Sequence, residues 1–155
     1  MSIQDLGSLG ELIAALATLA TLAYLAVQIR KNTIAVRAGS HQAVSDCFIE
    51  LNSWIAKDAS LARIYRIGAE NLSDLNQDER AQFNFMLLSV FHAYQTTFYH
   101  HEVGTLDDAL FQPIMRDIEV VLASPGVREW WTETPFSFNP EFRSYLESRV
   151  LFGIR

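Results

Sequence analysis

Hydrophobic and polar positions follow two regimes along the chain. From Leu12 to Ile29 (LIAALATLATLAYLAVQI) no residue is charged and no polar face emerges. The run carries a triplet repeat: Leu16-Ala17-Thr18, Leu19-Ala20-Thr21, Leu22-Ala23-Tyr24, Leu25-Ala26-Val27. Three residues fall about 60° short of a helical turn, so the leucines wind around the helix instead of lining one side. After Arg30 the pattern becomes amphipathic. Val44, Phe48, Leu51 and Ile55 recur at helical steps, joined by His41, Cys47 and Trp54. This predicts that the first helix continues to about Ala56, with Gly39-Ser40 as its natural bending point.

Shorter helices follow. One is expected over 60–70, with Leu61, Ile64, Tyr65 and Gly68 inward. Asn76-Gln77-Asp78-Glu79 has the form of a capping box and opens a helix reaching about Glu102. Its stripe Phe83, Leu87, Phe91, Tyr94, Phe98 is aromatic and forms the expected centre of the bundle. Gly104 suits a helix C-cap. Thr105-Leu106-Asp107-Asp108 opens a helix to about Ala123, with Pro113 confined to its first turns or kinking it. Ser124-Pro125-Gly126 starts a short helix holding Trp130 and Trp131, and Asn139-Pro140 caps a last one to about Leu151. The expectation is an all-α chain: a tail over 1–11, a transmembrane helix over 12–29, and a cytoplasmic helical domain over 30–155 with about five to six helices.

A helix that is apolar all round lies in a large core or in lipid. Its eighteen residues span about 27 Å, close to the hydrocarbon thickness of a bilayer. A chain of 155 residues builds one modest core, which favours lipid over the central helix of a soluble bundle. A secretory signal peptide is the third reading, and it lacks the basic leading region. Asp5 and Glu11 precede the run; Arg30, Lys31 and Arg37 follow it. The positive-inside rule then places the N-terminus outside and the C-terminal domain in the cytoplasm. Ala14, Ala17, Thr18 and Thr21 form a stripe of small residues at helical spacing, a candidate surface for helix association.

Charge narrows the partners. The chain carries a net −6, and residues 38–155 hold nine basic and sixteen acidic side chains. That balance argues against nucleic acid, whose phosphates need a basic surface. Membrane lipid and a second membrane-embedded chain, this protein or another, are the expected partners. A lone Cys47 excludes an internal disulfide and is expected in the core.

The segment Tyr24-Leu25-Ala26-Val27-Gln28-Ile29-Arg30-Lys31-Asn32-Thr33, followed by Ala35-Val36-Arg37-Ala38, resembles an uncharacterised bacterial family of single-span membrane proteins with a YLAxQIRxNTxAVRA juxtamembrane motif. Gly104 with Leu106-Asp107, Ser124-Pro125-Gly126 with Arg128, Trp130 and Trp131, and Phe138-x-Pro140-x-Phe142-Arg143-x-Tyr145 are similar to that family as well. His100-His101 before Glu102 departs from its pattern. The resemblance implies a single span, a bacterial inner membrane and no assigned activity.

Candidate chemistry is sparse. The chain has no Glu-x-x-His, no Gly-rich phosphate loop, no G-x-S-x-G and no Cys-x-x-Cys, so no catalytic residue, metal ligand or cofactor is expected. His100 and His101 diverge by about 100° on a helix and do not chelate together. Asn84, His92, Gln95, Tyr99 and Glu102 lie near one stripe of the aromatic helix. They form either a polar seam against neighbouring helices or, through His92, Gln95, Tyr99 and Glu102, a ligand pocket. Adjacent Trp130 and Trp131 point different ways: either both pack in the core, or one packs inward and the other is a candidate anchor for a partner or the membrane interface. The first functional expectation is a non-enzymatic membrane-anchored assembly or accessory protein. The alternative is a membrane-tethered sensor of a small ligand.

Overall fold

The computed structural model describes residues 3–134 and 136–150; Leu151, the expected end of the last helix, lies outside them. The described residues are helical, with no strand among them. The order is α1 (Ile3–Lys57), α2 (Ala59–Glu70), a 3₁₀ turn (Leu72–Asp74), α3 (Gln77–Glu102), α4 (Asp108–Ala123), α5 (Pro125–Glu133) and α6 (Pro140–Val150). The chain divides into two units, Met1–Gly39 and Ser40–Arg155. The division falls at the Gly39-Ser40 pair, through which α1 remains helical.

In the first unit, the expected tail is not a separate segment: residues 3–11 belong to α1. Alanine and leucine, the strongest helix formers, dominate residues 12–29 that follow, and no proline interrupts the helix. Every side chain from Gly7 to Gly39 is exposed. By length and composition α1 is apolar enough to cross a membrane, and none of its apolar window is buried within the chain. Thr18, Thr21 and Thr33 donate their hydroxyls to the carbonyls of Ala14, Ala17 and Ile29 at 2.8–3.0 Å. These polar atoms are therefore satisfied without water.

In the second unit, each helix start has a local cause. Asp58 accepts the Ser60 and Leu61 amides and begins α2. Asn76 accepts the Asp78 and Glu79 amides at 3.0 Å, and Glu79 returns to the Asn76 amide at 3.1 Å, so the capping box forms in full. Gly104, at φ +72°, ends α3 in the left-handed conformation that glycine tolerates. Asp107 caps α4, and Pro113 sits in its second turn. Pro125 occupies the first position of α5, where its missing N–H is not needed.

The core centres on α3. Phe83, Leu87, Phe91 and Tyr94 are buried, and Phe98 is half-buried. Val44 and Leu51 of α1 are buried beside Phe48, whose ring lies 5.0 Å from Tyr94. His41, Cys47 and Trp54 are exposed, contrary to the expectation that they join this face. The line through Val44, Phe48, Leu51 and Ile55 is narrow, and at about 100° per residue these three fall beside it.

α2 and α5 meet backbone to backbone. A methyl group on Gly126 would overlap the Gly68 carbonyl oxygen and lie 3.2 Å from that of Ala69. One on Gly68 would lie 2.7 Å from the Phe83 ring and 2.8 Å from Leu75. With α5 held this close, both tryptophans are covered, which matches the core-packing alternative and leaves neither indole free as an anchor. Trp130 is 3% and Trp131 4% exposed. Trp130 donates Nε1–H to Asn84 Oδ1 at 2.8 Å. Trp131 stacks on Phe91 and Phe138, each at 5.1 Å, and the Arg143 guanidinium covers it at 4.5 Å.

Gly126→Ala should therefore destabilise the folded chain by about 3 kcal/mol, the upper end of ordinary overpacking. Gly39→Ala, with nothing within 4 Å of the added carbon, should be neutral or stabilise by roughly 0.5–1 kcal/mol. Urea unfolding of the two variants in detergent measures the contrast. A second expectation concerns Glu79. Its pairing with Arg63, then its bond to the Asn76 amide, hold its carboxyl below the usual range. The unfolded state then binds the proton more readily, so stability rises with pH through the acidic range. Thermal melting from neutral to acidic pH should show a loss, and Glu79→Gln, which keeps the amide contact without the charge, should flatten that slope.

Candidate functional site

The polar residues of α3 separate once folded. Asn84 turns to Trp130, as a seam residue does. Gln95, Tyr99 and Glu102 come together in a cavity of about 240 Å³ between α3 and the start of α6. Thr96, Phe98, Asn139 and Glu141 complete its walls. Three of the four expected pocket residues thus share one site. His92 does not line it, and its ring packs instead 5.0 Å from Phe138.

Two hydrogen bonds fix this cavity. Gln95 Oε1 accepts the Asn139 backbone N–H at 2.7 Å, tying α3 to the turn before α6. Asn139 Oδ1 accepts the Glu141 N–H at 2.7 Å and caps α6. The two neutral acceptors are thereby engaged within the protein. Glu102 and Glu141 bring carboxylates, and Phe98 and Tyr99 bring ring surface. Tyr99 is 62% exposed. Asn139 and Glu141 escape a reading confined to α3, because they come from a helix more than thirty residues later. The one signal for them is the Asn-Pro-Glu helix start, which places Glu141 in a first turn where a carboxylate is favoured.

A second cavity of about 240 Å³ lies between residues 43–48 of α1 and α3, where Cys47, His92 and His100 contribute to the walls. Partial burial, and then Glu50, push the Cys47 thiol up from its ordinary value. It stays a thiol near neutral pH and is a poor nucleophile. A third groove, about 690 Å³, runs between α1 and α4 with Tyr94 in its lining. Burial, and then Asp117, push the Tyr94 phenol upward, so it remains neutral.

The adjacent histidines part as expected. His100 Nδ1 meets Thr105 Oγ1 at 2.9 Å. His101 Nε2 meets Asp108 Oδ1 at 2.8 Å, with its ring stacked 3.8 Å from Phe111. Among the described residues, no group of three His, Cys, Asp or Glu side chains is placed to hold a metal ion.

On α1, Ala14, Ala17, Thr18 and Thr21 are all exposed. The two hydroxyls already bond to carbonyls of the same stripe, at 2.9 and 2.8 Å. The stripe is therefore exposed with its hydroxyls already satisfied. Comparison with protein-family models, with curated proteins and with solved structures finds no match to this chain.

Proposed function

We propose that the protein is anchored in a membrane by α1 and serves as an assembly or accessory protein, pairing with a second copy or another membrane-embedded chain. The observation that carries this reading is the exposure of every side chain from Leu12 to Ile29, an apolar run without a charge. Water is a poor solvent for such a surface, and none of the apolar window is buried among the described residues. Lipid covers it without stranding the Thr18 and Thr21 hydroxyls, because both bond to carbonyls of the same helix. The flanking charges support a cytoplasmic C-terminal domain, and the resemblance of the Tyr24–Ala38 segment supports a bacterial inner membrane.

A small-ligand sensor tethered to the membrane is the second reading. The cavity that collects Gln95, Tyr99 and Glu102 favours it.

Leu19→Arg places a charge near the middle of the run, at an insertion cost of about 2.5–3.5 kcal/mol. The wild-type chain should stay in the membrane pellet under alkaline carbonate, and the variant should lose most of that fraction. A wild-type chain fully released by carbonate would overturn the anchor. Light scattering of the chain extracted in mild detergent should give the mass of two or more copies, or of a copurifying partner. A strict monomer with nothing bound would remove the assembly reading.

A further inference from the structure

We infer that the cavity between α3 and α6 is a binding site for a small organic ammonium ion, free in solution and not part of a phospholipid headgroup. This deepens the sensor reading and rests on it; it does not depend on how α1 is covered.

The chemistry of the lining selects the ligand. Phe98 and Tyr99 supply aromatic ring surface, and Glu102 and Glu141 supply the charge. Among the described residues, no Lys or Arg lines the cavity. Aromatic faces beside carboxylates attract alkylated ammonium, which presents a diffuse positive charge on an apolar body. The neutral acceptors point the same way. Gln95 Oε1 holds the Asn139 N–H and Asn139 Oδ1 holds the Glu141 N–H, so both are engaged in building the wall. Apart from the Thr96 and Tyr99 hydroxyls, the attraction left for a ligand is ionic and quadrupolar. It does not need N–H donors on the ligand, which suits a methylated ammonium.

The two carboxylates come from opposite helix ends. Glu102 is the last residue of α3, and Glu141 is in the first turn of α6. Glu141 is held by the α6 dipole, whereas Glu102, whose nearest basic group is His101 Nδ1 at 3.7 Å, sits where the α3 dipole disfavours a negative charge. A cation between them relieves the second and leaves the first intact. The surrounding charge adds to this, because the chain as a whole carries −6 and draws cations. A zwitterionic headgroup is disfavoured: its phosphate would enter the same acidic cavity without a basic side chain to meet it. The volume of about 240 Å³ suits a small ion.

The probes are choline, its uncharged isostere 3,3-dimethyl-1-butanol, and phosphocholine, each titrated against the full chain in detergent and followed by saturation-transfer NMR of the probe. Choline should bind, and the isostere and phosphocholine should each bind at least about tenfold more weakly. Glu102→Gln and Glu141→Gln should each weaken choline by about tenfold, whereas Glu129→Gln, the same change of net charge on α5, should leave it unaltered. Tyr99→Leu should weaken choline while leaving the carboxylates in place. Circular dichroism of each variant confirms the fold. Equal binding of choline and the isostere, equal binding of phosphocholine, or indifference to the two carboxylate variants would each overturn the assignment. A thermal-shift screen of the same chain separates the two levels of reading. Stabilisation only by neutral or anionic compounds keeps the sensor and removes the ammonium; stabilisation by nothing removes both.

Discussion

The contact on which the second unit depends is the crossing of α2 and α5 at Gly68 and Gly126, where no side chain separates the backbones. Because α5 lies this close, its two indoles have nowhere to go but inward. Phe91 meets both of them, at 5.2 and 5.1 Å. Their outer surface is closed by Phe138 and by the Arg143 guanidinium. Phe138 in turn brings the 136–139 turn against α3, and Asn139 reaches Gln95. The candidate cavity is thus a remote product of two glycines. Each step is ordinary packing, and each one constrains the next.

The first unit obeys a different rule. Its leucines do not converge on a face, so they give no direction in which to fold. In the second unit, by contrast, helices of nine to twenty-six residues start at a capping side chain or a proline and bury side chains against one another. The two kinds of sequence meet in one helix. Gly39 and Ser40 mark the change, exposed on one side of the boundary and buried on the other.

What could be read from residue patterns follows the range of the interactions involved. Caps act within three or four residues, so Asn76-Glu79, Gly104, Asp107 and Pro125 mark their helices correctly. The stripe Phe83–Tyr94 lies on one helix, and its burial follows from periodicity. The fate of Trp130 and Trp131 is set elsewhere, by a glycine on α2 and a turn after α5. No local spacing encodes that, so core packing of both and one free indole stand as alternatives until the structure covers both. Gln95, Tyr99 and Glu102 share a helix side and were legible as a group, whereas Asn139 and Glu141 join them through tertiary contact alone. His92 shows the limit of the same logic: it belongs to the stripe by phase, yet the ring of Phe138 takes it.

The single amide of Asn139 has a consequence for how motion passes through the domain. Its N–H is held by Gln95 and its side chain holds the Glu141 amide at the beginning of α6. The wall of the cavity and the nucleating turn of the last helix are therefore one set of atoms. Fraying of α6 from its start opens the cavity, and anything that tightens the cavity slows that fraying. Amide exchange at Glu141 becomes a local gauge of what happens beside Gln95, and the end of the chain carries the record of events at its middle.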